Sequence, residues 1–268
     1  MAPAPLFDRY EQVILDLDGC VWIGGEPIPG SVDAIAVLRE GGKRLAFVTN
    51  NPRRGAEEYV RMLWEIGVQA SVADVVTVGG ALQHLLAETR RDRTAFVIGS
   101  PALHEHVAAA GVRILNGTDL DSRAELVVVG GTEHVDYEDL RIASLAVQRG
   151  AELLGTSRDP TYPMPDGLWP GTGALLAAIE TTTGRTASIV GKPEPQLFVT
   201  ALDRLGGGRT LVVGDRLDAD VGAAARARLD AALVLSGGTT REQADAELAA
   251  GGPKPVAVAD TLADLVGR

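Results

Sequence analysis

Asp16-Leu17-Asp18-Gly19 sets two carboxylates two residues apart where the apolar run Gln12-Val13-Ile14-Leu15 ends. In a strand, alternate side chains share a face, so Asp16 and Asp18 converge while Leu17 turns back toward the core. Open α/β sheets hold their ligand crevice beyond the carboxyl ends of strands, which makes this pair a candidate site. Gly19 lets the chain turn sharply after it. Other apolar runs also end in reactive groups: Thr49-Asn50-Asn51, Lys192, and the acidic cluster Gly214-Asp215-Arg216-Leu217-Asp218-Ala219-Asp220. Taken singly, Asp16–Gly19 is a turn or calcium-like loop, Thr49-Asn50-Asn51 a helix cap before a proline, and Asp215–Asp220 an acidic helix start. Taken together at strand ends, they are the inventory of phosphoryl transfer. A carboxylate can attack phosphorus to form an aspartyl-phosphate, dividing one hard displacement into two easier ones. Carboxylates also hold a hard divalent cation, most often Mg²⁺ beside a phosphate. Energetics requires the cation: at about 4 Å and an effective dielectric of about 20, each unit of phosphate charge repels the attacking carboxylate by roughly 4 kcal/mol. One lysine does not offset that, whereas a dication and Lys192 together do.

The elements that must position these groups follow from the pattern between them. Arg44–Thr49, Val75–Val78, Ala95–Gly99, Glu125–Gly130, Ala187–Val190, Thr210–Gly214 and Ala231–Leu235 read as buried strands. Helical spacing of apolar residues occupies Ser31–Glu40, with Ser31 as the expected N-cap, and Glu57–Ile66. Strands alternating with helices predict an α/β fold, a Rossmann-like doubly wound parallel sheet with right-handed crossovers. About 140 residues separate Asn51 from Lys192, far more than a loop, and they carry strands and helices of their own. The expected organisation is a core of residues 1–80 and 187–268 with an inserted α/β cap of residues 81–186. The helix near Ala81–Arg91 and the Gly184-Arg185 turn bound that insertion.

Composition narrows the function. The 268 residues are 46% hydrophobic but only 4% aromatic, which suits an aliphatic layered core. A net charge of -11 argues against a nucleic-acid backbone as partner. The single cysteine, Cys20, excludes an internal disulfide framework, fits a reducing compartment and reads as a small buried hydrophobe. Neither an apolar signal region nor a stretch of membrane-spanning length is visible, so the expectation is a soluble, cytoplasmic protein. His104-Glu105-His106 places its imidazoles on different faces of a helix and is no metal pair. Gly171-Thr172-Gly173 reads as the entry turn of a helix from Ala174.

The motifs resemble those of the haloacid dehalogenase superfamily of phosphatases, subclass IIA, whose inserted cap follows the second motif. Asp16-Leu17-Asp18-Gly19-Cys20-Val21-Trp22 is similar to its first motif and Phe47-Val48-Thr49-Asn50-Asn51 to its second. Gly191-Lys192-Pro193-Glu194-Pro195 is similar to the third and Gly214–Asp220 to the fourth. The likeness extends to Ser157-Arg158-Asp159-Pro160, Gly171-Thr172-Gly173-Ala174 and Thr239-Thr240-Arg241-Glu242, covering nearly the whole chain. It points to the group of 4-nitrophenylphosphatases, phosphoglycolate and glycerol phosphate phosphatases and pyridoxal phosphatases.

The resemblance implies Asp16 as nucleophile and Asp18 as the acid, then base, of hydrolysis. Thr49, Asn50 and Asn51 would hold phosphate by hydroxyl and backbone donors, and Lys192 would neutralise it. Asp16, the Asp18 carbonyl and Asp215 would bind Mg²⁺, and Asp220 would support the metal's water shell. Ala219 replaces a common threonine without removing a reactive group. Tyr162, in a loop stiffened by Pro160, Pro163 and Pro165, stands at the family's substrate-selecting position. The implied partner is a small phosphorylated metabolite, and the implied assembly a homodimer through the cap. Two other readings use the same residues: a phosphotransferase with the same intermediate, and a non-catalytic phospholigand-binding protein.

Overall fold

Every position of the Gln12–Asp16 strand is buried, as is every position of Thr210–Gly214, so both faces of the sheet they share are covered. Continuous apolar runs of this kind belong to parallel sheets sandwiched between helices. In the computed structural model, which describes residues 3–267, six parallel strands form the core sheet. Their order is Ala257–Ala259, Asp230–Val234, Thr210–Gly214, Gln12–Asp16, Arg44–Thr49 and Val75–Thr77. From Gln12–Asp16 the chain first builds outward through Arg44–Thr49 and Val75–Thr77, and later returns to build the other side. The strand order therefore reverses at Asp16, and a crevice opens at the carboxyl ends of the strands there. Ile14 and Val212 pack into one apolar cluster, while Val13, Leu15, Leu211 and Val213 pack into another on the opposite face.

The insertion carries a second parallel sheet in the order Ser188–Ile189, Glu152–Gly155, Leu126–Val129, Thr94–Ile98 and Arg113–Ile114. One strand departs from the sequence reading. Ala187–Val190, expected in the second part of the core, pairs instead with Glu152–Gly155 of the insertion, where Ala187 and Ile189 join that sheet's own apolar cluster. The chain thus re-enters the core after this edge strand, at the segment that carries Lys192. At the other crossing, the helix Val78–Thr89 starts directly after its strand, three residues before the expected Ala81. Thr77 caps it, its Oγ1 accepting from the Gly80 amide at 3.1 Å, so the glycine pair lies inside the first turn rather than before it.

Three local differences bear on the site. Ser31 is not the N-cap of its helix: Gly30 takes that place, and the Ser31 hydroxyl is buried and donates to the Val21 carbonyl at 2.8 Å. A small hairpin, Trp22–Ile23 with Glu26–Pro27, follows the acidic pair. The proline-rich segment expected as a loop is also a hairpin, in which Thr161–Met164 pairs with Gly167–Pro170 and Tyr162 lies opposite Trp169. Among the described residues no helix is long and apolar enough to cross a membrane.

Candidate active site

Asp16 ends the central strand, and Leu17 turns fully into the core, as the alternation requires. Gly19 has φ 91°, and a β-carbon there would come within 2.5 Å of the Asp215 carboxylate, so only glycine lets these two turns meet. Asp18 is held from two sides: Trp22 Nε1 donates to Oδ1 at 3.0 Å and Asn51 Nδ2 to Oδ2 at 3.3 Å. Both donors are themselves anchored. Trp22 stacks on Tyr59 at 6.3 Å between ring centroids, and the Tyr59 hydroxyl donates to the Asn51 carbonyl at 3.0 Å.

From the neighbouring strand ends come Thr49, buried with its Oγ1 accepting from the Asn51 amide at 3.0 Å, and Asp215, which accepts from the Gly238 amide. Asp220 is buried in the turn Leu217–Val221, where its Oδ2 accepts from the Arg216 amide at 3.0 Å. Lys192 is almost fully buried, and its Nζ donates to Asp16 and, at 2.6 Å, to Asp220. Tyr162 reaches the same cleft from the insertion's hairpin. The Arg53 guanidinium lies 4.3 Å from its ring centre, donates to its hydroxyl and pairs with Glu133 at 3.0 Å. All nine residues singled out from the sequence therefore meet at the carboxyl end of the core sheet, eight of them from the core and Tyr162 from the insertion. The Asn50 side chain, however, is taken up by the main chain of Lys192, leaving its backbone amide as the group free for a ligand.

Electrostatically the centre is overcharged. Asp16, Asp215 and Asp220 offer oxygen atoms within 4.8 Å of one another, all buried, and face a single ammonium. Burial pushes Lys192 down, but the Asp16 and Asp220 carboxylates outweigh it and hold the lysine above its ordinary range. Burial lifts Asp16 well above the carboxylate range; Lys192 pulls it down, and Asp220 and Asp215 add to the rise. Asp215 is pushed up to about 7, by burial and then by Asp220. Three buried carboxylates around one ammonium, two of them resisting ionisation without further positive charge, form an all-oxygen cluster that fits a hard divalent cation. Asp18 is also lifted by burial, against the pull of its hydrogen bonds from Asn51 and Trp22. Burial raises the Cys20 thiol far above its usual value, which makes it a packing residue. Among the described residues, His104 and His106 join no metal-ligating cluster, and His106 Nδ1 lies 2.8 Å from Gln83 Oε1.

Sequence reasoning missed Trp22 and Tyr59, which hold Asp18 in place directly and through Asn51, and Arg53 and Arg216, which line the cleft. Trp22 and Arg216 left a signal, their places inside the first and fourth motifs.

Fold and centre together define a class: a Rossmann-like α/β protein with an acidic, cation-accepting site at the switch point of its core sheet, covered by an inserted α/β unit. Residues 13–113 match the haloacid dehalogenase-like hydrolase family, and residues 189–265 a second HAD-hydrolase-like family. The acid sugar phosphatase of Staphylococcus haemolyticus is 31% identical over 237 residues, which are 88% of this chain and 89% of that protein. The D-glycerol 3-phosphate phosphatase of Mycobacterium tuberculosis is 37% identical over 230 residues, 85% of this chain but 64% of that longer protein. The crystal structure of the glycerol phosphate phosphatase from the same organism in complex with magnesium has a TM-score of 0.83 at 36% identity, covering 96% of this chain and 77% of that one. The chain belongs to the haloacid dehalogenase-like hydrolases.

Proposed function

We propose that the protein is a Mg²⁺-dependent hydrolase of small phosphate monoesters that works through an aspartyl-phosphate on Asp16. The observation that carries the reading is the buried cluster of Asp16, Asp215 and Asp220 around Lys192, with Asp18 beside it at the mouth of the cleft. The structural relative holding magnesium supports the choice of ion. Mg²⁺ held by Asp16, Asp215 and the Asp18 carbonyl would supply the positive charge that lets an anionic nucleophile meet an anionic phosphate.

The chain's own groups do the rest. Asp16 attacks phosphorus, and Lys192 offsets charge on the nucleophile and on the phosphoryl oxygens. The Thr49 hydroxyl and the amides of Asn50 and Asn51 fix the phosphoryl group in line. Asp18 gives its proton to the leaving oxygen, then takes one from the water that cleaves the acyl phosphate. The insertion serves as a cap that excludes bulk water during attack. Tyr162 and Arg53 flank the leaving group, and the names of the two relatives, a glycerol phosphate and an acid sugar phosphatase, support a small hydroxylated one. The same reading takes the protein as cytoplasmic and as a homodimer joined through the cap.

A panel of phosphoglycolate, glycerol phosphates, sugar phosphates, nucleotides, pyridoxal phosphate and 4-nitrophenyl phosphate tests it. Turnover should require Mg²⁺, vanish with chelator and be abolished in Asp16→Asn, while the variant keeps its fold. Turnover that persists in chelator or in Asp16→Asn refutes the reading. Phosphate passed to an added alcohol in place of water would establish the phosphotransferase, and no turnover of any ester the binding protein.

A further inference from the structure

Asp159 carries no part of the reaction as described, yet its carboxylate enters the cleft from the insertion and binds core residues on both sides. Its Oδ2 accepts from Asn50 Nδ2 at 3.0 Å, and its Oδ1 lies 3.2 Å from Arg216 Nε. Asn50 then grips the main chain of Lys192 at both of its polar atoms. Nδ2 donates to the Lys192 carbonyl at 2.9 Å, and Oδ1 accepts from the Lys192 amide at 2.8 Å. Both hydrogens of the Asn50 amide are thereby used, one on Lys192 and one on Asp159. A carboxylate can only accept, so it holds this amide in one of its two orientations; the flipped amide would face its partners acceptor to acceptor and donor to donor. At the far end of the same residue, Lys192 Nζ holds Asp16 and Asp220.

The seat of Asp159 is built rather than incidental. Gly173 donates its amide to the Asp159 carbonyl at 2.9 Å, and a β-carbon at Gly171 or Gly173 would collide with the carbonyls of Asp159 or Arg158. The Gly171-Thr172-Gly173 turn, read from sequence as a helix entry, is thus also the backbone shelf on which this carboxylate is set. Arg216 supplies the counter-charge that a buried carboxylate needs.

We infer that Asp159 is a positioning residue of the insertion that fixes the Asn50 amide and, through it, sets Lys192 against the nucleophile Asp16. The inference rests on the phosphatase reading above and deepens it: the insertion completes the lysine's geometry as well as covering the cleft. Only a structure with the insertion docked on the core has the full chain of contacts.

The test is a double-mutant cycle on kcat and KM for 4-nitrophenyl phosphate with Mg²⁺, using wild type, Asp159→Asn, Asn50→Ala and the double variant. An asparagine at 159 is uncharged and offers one acceptor oxygen where the carboxylate offered two, so the hold on the Asn50 amide is weakened while side-chain shape is kept. Asp159→Asn should lower kcat by about 10- to 100-fold, the range for groups that orient a reacting residue, with KM within about threefold. In the Asn50→Ala background the same change should cost less than about twofold, because the link it acts through is already gone. A mere tie between the two units would lower kcat by the same factor in both backgrounds, and that result overturns the inference. So does a kcat within twofold of wild type. If Asp159→Asn does not fold, by circular dichroism and thermal melting, Asp159→Ser carries the same cycle. A crystal structure of the wild type with the Asp159 carboxylate beyond hydrogen-bond distance of Asn50 overturns the inference without any variant. An inactive wild type, or a fully active Asp16→Asn, brings down the phosphatase reading and this inference together; an active wild type with an unaffected Asp159→Asn brings down the inference alone.

Discussion

Asp18 accepts two hydrogen bonds while burial lifts its pKa, a balance suited to a group that must hold a proton in one half-reaction and accept one in the next. Asp18→Asn keeps the side-chain shape and one of the two acceptor oxygens, and removes the proton transfer. The expected loss in kcat is about 10²- to 10⁴-fold for an alkyl phosphate and clearly smaller for 4-nitrophenyl phosphate, whose leaving group needs no proton. Equal losses on the two substrates would remove Asp18 from the acid role. The reactive residues were legible in the sequence because their types are costly to bury and each ends an apolar run. Their supports were not. Asn50 and Asp159 are 109 positions apart, and no local pattern joins them. Arg216 sits inside a legible motif, but its contact with Asp159 exists only once the insertion folds onto the core.

At the scale of elements, period and burial predicted the parallel strands, because a strand covered on both faces must be apolar throughout. The two hairpins escaped, being strands of two or four residues that carry prolines at 27, 163 and 170, a residue strands disfavour. Ser188–Ile189 was legible as a strand but not as to which sheet it joins, since pairing depends on the partner rather than on its own residues. The hairpin that replaces the expected loop presents Tyr162 rigidly, with Trp169 edge-on at 6.2 Å and Arg53 over the ring. Tyr162→Ala should therefore change the ranking of substrates by kcat/KM while leaving Mg²⁺ dependence and inhibition by inorganic phosphate near wild type. A uniform change across substrates would reduce the hairpin to scaffolding.

A second element-scale prediction concerns the insertion's first helix. Arg90, just past that helix, and Arg93 both pair with Glu152 on a neighbouring strand, and the hydrogen bond from Arg90 is the main reason the Glu152 pKa is lowered. A depressed carboxylate stabilises the fold above its unfolded pKa and loses that contribution as pH falls through the folded one. Glu152→Gln should thus lower stability by about 0.5–1 kcal/mol at pH 7. In thermal melts the gap to wild type should close on acidification below about pH 4, where the unfolded carboxyl also protonates. A gap that stays constant with pH would assign the effect to packing.

For the whole molecule, the helix Val78–Thr89 is where the two sheets join. It packs against the insertion's helix Pro101–Ala109 and against the core helix Gln196–Leu205, and its Val78, Leu82 and Leu86 are fully buried. One apolar cluster runs through this helix from Ile14 and Val48 in the core sheet to Val97 and Val128 in the inserted one. A shared interior makes the melting of one sheet expose apolar surface of the other. Calorimetry should therefore record a single endotherm with matching van't Hoff and calorimetric enthalpies, although the chain folds into two sheets. Leu82→Ala, costing about 2–5 kcal/mol, should move that endotherm as a unit rather than split it. Two resolved transitions would mean that the seam is a contact and not a common core. With one transition, a mutation in the insertion lowers the population of the folded acidic site even when it touches nothing in the cleft, and a ligand held in the cleft protects residues of the distant sheet from proteolysis.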